Sequence, residues 1–305
     1  MIIAPGYIGI DISKTHLDIY DGAPHRIGNR PEAIASFLAG LEAPRLVLFE
    51  ATGSYDRDLQ AELVKADIAF ARVNPLQARN FARSIGQLAK TDDIDARMLA
   101  AMAQALQPAP TAPADPERQD LGELHRRRAH LVAIRQQERT RLHTASPAIA
   151  TDISDHIAWL GERIDRFDRQ IASRIETSTR LAAAARLLRS IPGIGPVAAT
   201  ALLALLPELG QRSGKTIAAL AGLAPINRDS GAWRGKRSIA GGRAEVRSAL
   251  YMAAVTASRA NPRLAVTYQA MIERNKAPKL ALIAIARKLL VIANAILKTQ
   301  MPFTQ

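Results

Sequence analysis

The chain has 305 residues, which is long enough for two domains. Of these residues 48% are hydrophobic and 23% are charged, a composition that excludes a disordered chain. It contains no cysteine, which excludes disulfide bonds and thiolate metal sites and fits a reducing compartment. The formal net charge is +13, and the excess lies in residues 181–305, where 18 basic and 4 acidic side chains give +14 and predict binding to a polyanion such as nucleic acid.

Residues 1–106 alternate short strand patterns with helical patterns, which predicts an α/β domain with a central mixed sheet. The first dozen residues have no basic lead and reach an acid early, so we expect no signal peptide. Runs 7–13 and 16–22 are separated by two residues and predict a β-hairpin. A helix is predicted over 28–41, and the apolar run 45–50 predicts a buried strand that ends in an acid. Further helices and one strand, 67–73, follow.

Residues 107–180 are predicted to form a linker and a helical hairpin. The stretch 107–117 is rich in proline and alanine, as semi-rigid linkers are. Apolar residues then repeat at alternating spacings of three and four, the pattern of a coiled-coil seam. The seam consists of Ile157, Leu160, Ile164, Phe167 and Ile171. With the preceding helix, 117–143, it predicts an antiparallel hairpin that turns near Ser146 and Pro147; two charged surface helices on a globular core are the alternative.

Residues 181–305 are predicted to form an all-α domain, interrupted only around 228–243. The segment SIPGIGPVAATALLALL, 190–206, has the form of a helix-hairpin-helix motif, with Pro196 at the first helical position. Gly193 and Gly195 would expose backbone N–H groups to a DNA phosphate, although an ordinary tight turn would use the same residues. The apolar segment 279–298 carries two basic residues at its centre, which favours a core helix over a membrane span.

Acidic residues in the first domain stand at positions that would bring them together. They are Asp11, Glu50, Asp92 and Asp95. Two lie on strands predicted to be neighbours, and two are three residues apart on one helix face. Carboxylates so gathered would hold Mg²⁺, with Mn²⁺ as the other candidate, as in two-metal phosphoryl-transfer sites. Alternatively, each acid is structural. Glu50 could pair with Arg57, and Asp92 and Asp95 could stabilise the N-terminus of their helix through its dipole. The order is similar to that in RNase H-like nucleases of the RuvC type.

The segment RDSGAWRGKRSIAGGR, 228–243, surrounds a serine with positive charge and glycine, and its residues fit neither a regular helix nor a regular strand. Ser230 precedes Gly231, which would let the backbone approach a phosphate. Cations at a helix N-terminus are unfavourable, so a helix beginning near Arg243 predicts a bound anion there. The residues predicted to hold nucleic acid here are Arg234, Lys236, Arg237, Arg243 and Arg247. Ser230 could instead be a plain turn residue, and Ser238 is a rival hydroxyl.

The two halves together resemble the DEDD-type bacterial insertion-sequence transposases, the "IS one-ten" family of bridge-RNA-guided recombinases. The resemblance rests on GIDISK (9–14), FEATGSY (49–55), NPLQARNFARSIGQLAKTDDIDARMLA (74–100), IPGIGPVAA (191–199) and GLAPINRDSGAWRGKRSIAGGRAEVRSALYMA (222–253). It implies that the four acids are the family's metal-binding tetrad and that Ser230 attacks DNA to form a covalent phosphoserine intermediate. It further implies a cytoplasmic protein whose domains combine across the subunits of a tetramer, with a noncoding RNA that pairs with donor and target DNA.

Three hypotheses follow from the sequence. The first is an RNA-guided transposase or recombinase that uses the metal site and the serine nucleophile. The second is a metal-dependent junction-resolving nuclease in which water attacks and the serine is incidental. The third is a non-enzymatic DNA-binding protein in which the acids are purely structural.

Overall fold

The computed structural model describes residues 2–51, 53, 55–87, 92–113, 115–227, 229–231, 233–235 and 237–304; the side chains of Asp92, Asp93 and Ser230 lie outside that description. The chain divides into two compact units, Met1–Pro113 and Ala114–Gln305. The boundary falls inside the stretch predicted as a linker. The helical hairpin belongs to the second unit rather than forming a segment of its own, because its Leu121 and Ile171 join that unit's main core.

The first unit is built on a mixed sheet, as the sequence predicted, and the sheet has five strands. Its elements are β1 (Tyr7–Ile12), β2 (His16–Tyr20), β3 (Pro24–Gly28), α1 (Pro31–Ala39), β4 (Leu46–Glu50), α2 (Arg57–Lys65), β5 (Phe70–Val73), α3 (Pro75–Ser84) and α4 (Asp92–Leu106). The strand order is β3-β2-β1-β4-β5. The pairs β1–β2 and β2–β3 are antiparallel, whereas β1–β4 and β4–β5 are parallel. Strand β3 was not predicted, because it is largely exposed and lacks apolar alternation.

Alternation along the strands gives the sheet two buried faces. Ile8 and Ile10 of β1 point to one face, where they pack with Phe49 and with α1 and α2. Tyr7 points to the other face, where Leu48 and the apolar residues of α4 complete a second core. Burial on both faces explains why β4 reads as a continuous apolar run.

The start of the Pro/Ala-rich stretch is bound to the first unit. The Thr111 amide donates a hydrogen bond to the Phe70 carbonyl at 2.7 Å, and the Thr111 hydroxyl accepts one from the Arg72 amide at 2.9 Å. These bonds cover the open edge of β5, which would otherwise expose unpaired backbone groups.

The second unit is mainly helical. Its elements are α5 (Pro116–Leu142), α6 (Pro147–Thr177), α7 (Thr179–Arg189), α8 (Pro196–Leu205), α9 (Gly214–Leu220), β6 (Pro225–Ile226), β7 (Asp229–Ser230), β8 (Trp233–Arg234), β9 (Ser238–Ile239), α10 (Ala244–Ala260), α11 (Pro262–Glu273) and α12 (Pro278–Thr299). Helix α12 is long and apolar enough to span a membrane, yet Ile285, Leu289 and Leu290 are buried in the unit's core. It is the core helix that the sequence predicted.

Helices α5 and α6 run antiparallel. Arg128 pairs with Asp168, while Arg174 near the end of α6 pairs with Asp120 near the start of α5. Between the helices a small core contains Leu131, Leu160 and Ile164, with Phe167 packed against it. The predicted antiparallel pair of helices is present, and three of the five predicted seam residues, Leu160, Ile164 and Phe167, lie in this small core, whereas Ile171 joins the main core of the unit.

The prediction of an all-α second unit was wrong in one region. Residues 225–239 form two small antiparallel sheets, β6 with β9 and β7 with β8. The inner pair β7–β8 lies between β6 and β9 in the chain, so the strands form one nested hairpin, which we call the serine hairpin. Two-residue strands have no periodicity that a sequence pattern could reveal, and the glycines in the segment favoured an irregular loop.

Candidate functional site

The first candidate site lies on the sheet face that carries Asp11 and Glu50, which we call the acidic face. In the parallel β1–β4 pair, Ile10 lies opposite Phe49, so Asp11 and Glu50 come next on the two strands. Because successive strand residues alternate between the two faces of the sheet, both positions lie on the face that α4 covers. The sheet therefore places two of the predicted acids side by side at neighbouring strand ends.

Gly9 brings α4 onto this face. A Cβ atom at Gly9 would overlap the Ala96 carbonyl oxygen and the Ala100 amide nitrogen, so the helix backbone lies directly against β1. Asp95 immediately precedes Ala96 and is thus carried to the strand that bears Asp11. Asp92 begins the same helix, and its side chain lies outside the described residues. The sequence analysis gave Gly9 no role, because the helix that requires it is almost ninety residues further along the chain.

A further acid, Asp18, lies opposite Asp11 in the β1–β2 register and is only 2% exposed. Carboxylates at directly opposed positions repel each other. The Arg26 Nε atom donates to Asp18 at 2.7 Å, and His16 Nε2 lies 3.4 Å from the same carboxylate. Arg26 therefore offsets the charge of Asp18. The sequence analysis did not identify the pair of Asp18 and Arg26. It could have found Asp18, because strand alternation in the predicted hairpin puts Asp18 on the same face as Asp11.

The donors on the acidic face fit a hard divalent cation. Carboxylate oxygens are the ligands that Mg²⁺ and Mn²⁺ prefer. Among the described side chains, no three of the His, Asp and Glu type are grouped closely enough to hold a metal ion. The carboxylate of Asp92, the fourth predicted ligand, is not among those described. Asp11, Glu50 and Asp95 are among the described side chains, so the structure does not group these three as metal ligands; their oxygen chemistry fits a hard cation, and ion binding there remains a prediction.

The second candidate site is the serine hairpin. Ser230 ends β7, and Gly231, which follows it before β8 begins at Trp233, has a φ of 55°. Two-residue turns of hairpins favour glycine where φ is positive. In register, Ser230 lies opposite Trp233 and Asp229 opposite Arg234. The serine predicted as a nucleophile is therefore at the end of the hairpin, next to its turn.

Contacts at its base hold the two ends of the serine hairpin together. A Cβ atom at Gly242 would overlap the backbone of Gly222, so the two chain segments touch where they enter and leave. The Arg243 amide also donates to the Leu220 carbonyl at 2.8 Å. Both glycines have a positive φ, which other residues adopt at a cost.

The anion predicted at the start of α10 is supplied by the protein itself. The Arg243 guanidinium donates two hydrogen bonds to Glu208, at 2.6 and 2.7 Å. Burial acts to raise the pKa of Glu208, but the hydrogen bonds from Arg243 hold that pKa below its usual value. Arg247 donates to the Gly241 carbonyl at 2.7 Å. In this structure both arginines fix the base of the hairpin, and their contact with nucleic acid remains a prediction.

The other predicted nucleic-acid ligands lie on the hairpin itself. Arg234 is exposed and, by alternation, lies on the opposite face from position 230. Arg237 is exposed just before β9, and Lys236 lies outside the described residues. The sequence analysis overlooked Trp233, which shares the face of position 230.

Comparisons with known proteins match both units. Residues 185–269 match the family described as "Transposase IS116/IS110/IS902 family", and residues 8–146 match the DEDD transposase family of the IS110 type. The chain is 31% identical over 312 residues to the pilin gene-inverting protein of Moraxella bovis, with 97% of each chain covered. The chain belongs to the IS110 family of transposases. The match to the pilin gene-inverting protein of Moraxella lacunata has the same identity and extent.

A shorter match connects this transposase with the "Insertion element IS116 uncharacterized 44.8 kDa protein" of Streptomyces clavuligerus, 36% identical over 84 residues, which covers 27% of the chain and 20% of that protein. Family and relatives together make the chain a DNA transposase or recombinase, and hence an enzyme that acts on DNA. The architectural hypothesis is thereby excluded.

Gly193 and Gly195 of the predicted helix-hairpin-helix motif differ in how much space surrounds them in the transposase. Gly193 has a φ of 106°, and a Cβ atom there would lie 2.5 Å from the Ala257 Cβ of α10. Helix packing therefore explains Gly193 without DNA. Gly195 caps α8, Pro196 occupies the first turn as predicted, and no described atom lies within 4 Å of a Cβ at Gly195. Of the two, Gly195 has the space for a phosphate to approach.

Proposed function

We propose that this transposase cuts and rejoins DNA through attack of Ser230 on the scissile phosphate. The observation that carries the proposal is the place of Ser230, which ends a strand next to the turn of an exposed hairpin. That hairpin belongs to the unit with the excess of positive charge, where a DNA backbone is attracted.

In the proposed step, the Ser230 Oγ atom forms a bond to phosphorus while the bond from phosphorus to a deoxyribose oxygen breaks. The serine loses its proton and the leaving oxygen gains one, so the products are a phosphoserine ester and a free DNA hydroxyl. Attack by another DNA hydroxyl reverses the exchange and joins new strands. Because one phosphate ester replaces another, the bond energy is conserved and no external energy source is needed.

Asp11, Glu50, Asp92 and Asp95 are proposed to hold Mg²⁺, or Mn²⁺ in its place. Such an ion supplies charge stabilisation to phosphate oxygens. The described residues orient these carboxylates: the β1–β4 register aligns Asp11 with Glu50, and the contact at Gly9 sets α4 against β1. Arg26 limits the repulsion that Asp18 adds beside them.

The proposed partners are donor and target DNA and a noncoding bridge RNA encoded by the element, in a homo-oligomer between a dimer and a tetramer, in the cytoplasm. The names of the Moraxella relatives describe inversion of a pilin gene, a reaction in which every cut strand is rejoined. A covalent intermediate suits that outcome, because it keeps each cut end attached to the protein.

The experiment combines the purified protein, RNA transcribed from the flanking noncoding DNA, Mg²⁺ and both DNA sites. After denaturation, we expect protein covalently attached to DNA, with the linkage mapped to Ser230 by mass spectrometry. Ser230→Ala should abolish the adduct, and Ser238→Ala, which removes the rival hydroxyl in the same hairpin, should retain it. Strand exchange by Ser230→Ala would overturn the nucleophile. Cleavage by that variant without rejoining would identify a nuclease that uses water.

Asp11→Asn and chelation of divalent ions test the metal site separately. Both should reduce adduct formation, and added Mn²⁺ should restore the chelated sample. Full activity of the wild-type protein after chelation would overturn the metal assignment and leave the serine assignment intact.

A further inference from the structure

The inner strands of the serine hairpin have two distinct faces. Position 230 lies opposite 233, and position 229 lies opposite 234. Directly opposed residues share a face, and successive residues alternate between faces. One face therefore carries Ser230 and Trp233, and the other carries Asp229 and Arg234. Trp233 is therefore the residue that lies opposite position 230 in the register.

Trp233 is 63% exposed. The other tryptophan, Trp159, is also half-exposed, but it lies 5.9 Å from the His156 ring and 5.6 Å from the Arg163 guanidinium carbon. No described residue makes a comparable ring or cation contact with Trp233. What distinguishes Trp233 from other exposed apolar side chains is its place: it lies opposite position 230 in a basic unit, where a nucleic-acid strand is attracted.

We propose that Trp233 stacks on a nucleobase of the DNA strand that Ser230 attacks. The inference rests on the proposed function for the identity of the attacked phosphate, whereas the base contact can be measured without it. Exposed arginines at 234 and 237 raise the positive charge of the hairpin and attract the strand, and the indole on the face of position 230 provides the flat apolar surface that a base can cover. The arginines attract phosphates, and the indole adds a surface on which a base can stack.

Stacking at this position would align the strand for cleavage. Opposed residues have Cβ atoms about 5 Å apart, so a base on Trp233 belongs to a nucleotide next to the phosphate that Ser230 reaches. Stacking tolerates any base, because each has an aromatic face. Trp233 is therefore a positioning residue that places the strand without selecting its sequence.

Fluorescence isolates this contact, because the chain has two tryptophans. Trp159→Phe leaves Trp233 as the sole emitter, and Trp233→Phe leaves Trp159 as the matched control. The probes are a mixed-sequence single strand of 16 nucleotides and an abasic strand with the same number of phosphates. We expect the mixed strand to quench Trp233 emission, the abasic strand to leave it unchanged, and Trp159 emission to respond to neither. Equal responses of Trp233 to both strands, or no response, would overturn the stacking contact.

Adduct formation tests the role of the stack in positioning. With saturating DNA, Trp233→Ala should form the covalent adduct about tenfold more slowly, the loss expected from one base–aromatic stack, and Trp233→Phe should restore most of the rate. An abasic nucleotide beside the cleaved phosphate should slow the wild-type protein similarly and add no further loss to Trp233→Ala. Additive losses would mean that Trp233 acts only on folding and would overturn the inference.

The two proposals fail in distinguishable ways. If the wild-type protein forms no adduct while the mixed strand quenches Trp233, the serine mechanism is wrong and the base contact stands. If the adduct forms at the wild-type rate in Trp233→Ala and no quenching occurs, the serine mechanism stands and the base contact is wrong.

Discussion

The acidic face and the serine hairpin are held in place by opposite means. Asp11 and Glu50 lie on strands buried on both sides of a five-stranded sheet, with α4 packed against them. The serine hairpin consists of two-residue strands that are largely exposed, and contacts at its base fix it. Packing across a whole unit thus positions the carboxylates, whereas a few residues around Gly222 and Gly242 position the serine.

This difference matches the chemistry proposed for each region. Metal ligands must keep a fixed mutual geometry, which a packed sheet provides. A nucleophile that attacks a large DNA substrate must be accessible, which an exposed hairpin provides. Glycine-to-alanine substitutions add a single carbon atom and can test this difference. At Gly9 the added atom disturbs the packing of α4 on the sheet, and at Gly242 it disturbs the base of the serine hairpin.

The largest effect is expected from Gly9→Ala. The added Cβ atom would overlap the backbone of α4, which also packs on β2 and β4 and has little freedom to move. We expect the free energy of unfolding of the first unit to fall by about 3 kcal/mol and adduct formation to be lost as Asp95 is displaced. Urea unfolding followed by circular dichroism measures the first effect.

Gly40→Ala is the matched control for Gly9→Ala. Its added Cβ atom would meet its nearest neighbour, the Phe37 carbonyl oxygen, at an ordinary 3.5 Å. We expect a change within about 0.5 kcal/mol. Equal stability of the two variants would show that α4 can shift on the sheet and that packing does not fix the acidic face.

A second test compares neighbours at the base of the serine hairpin. Gly241 and Gly242 both have positive φ, so alanine is strained by about 1 kcal/mol at either position. Only at Gly242 would the new carbon atom also overlap Gly222, while no described atom lies within 4 Å of the corresponding position at Gly241. We expect Gly242→Ala to cost about 2 kcal/mol in all, because exposed loops can partly adjust.

Thermal unfolding and amide hydrogen exchange of residues 220–245 measure that comparison. Exchange should accelerate in Gly242→Ala well beyond the change in Gly241→Ala. Identical exchange in both variants would mean that the Gly222 contact does not hold the hairpin.

The sequence predicted the strands that carry the acidic face, because the signals of these strands are regular. The two runs 7–13 and 16–22 gave the β1–β2 hairpin, and the apolar run ending at Glu50 gave β4. Adjacent parallel strands then align their ends, so Asp11 and Glu50 followed. The role of Gly9 could not be predicted, because it depends on the helix that lies on it in the folded chain.

The serine hairpin was less predictable, because its contacts join residues far apart in sequence. Arg243 and Glu208 are separated by thirty-five positions in the sequence. The close approach of Gly242 to Gly222 likewise exists only in the folded chain. The start of α10 was predicted within one residue, yet the expected anion proved to be Glu208. Trp233 was visible in the sequence as an aromatic residue within a basic segment, but the sequence analysis considered only the charged residues, glycines and serines around it.

Glu208→Gln should have a smaller effect. It removes the charge that accepts two hydrogen bonds from Arg243, and because both side chains are partly exposed we expect a loss of about 1 kcal/mol. The lowered pKa of Glu208 in the folded protein means that its contribution is present above its ordinary pKa near 4.5 and is lost as the pH falls through the lower folded value.

The difference in stability between wild type and Glu208→Gln should therefore shrink below pH 4.5, as urea titrations at pH 7 and pH 4 can show. Glu273→Gln is the control, since Glu273 is exposed and accepts a bond only from Gln269 among the described residues. A difference that grows on acidification would contradict the assigned cause of the lowered pKa.

The smallest effect on stability is expected from Gly231→Ala at the turn of the serine hairpin. No described atom lies within 4 Å of the added carbon atom, and the cost is the strain of a φ of 55°, about 1 kcal/mol. Ile239 of the outer strand β9 packs against the core, but Trp233 on the inner strands is exposed, so the strain should open the inner strands without lowering the unfolding temperature of the unit.

Adduct formation should nevertheless fall severalfold in Gly231→Ala, and Gly231→Asn should recover it, because asparagine adopts positive φ more readily than alanine. Hydrogen exchange of residues 225–239 would locate the change. The comparison between the two regions would be broken if Gly231→Ala destabilised its unit as much as Gly9→Ala destabilises the first, since the hairpin would then be part of the packed core. A loss of activity at unchanged stability would instead show that the turn acts only by presenting the serine.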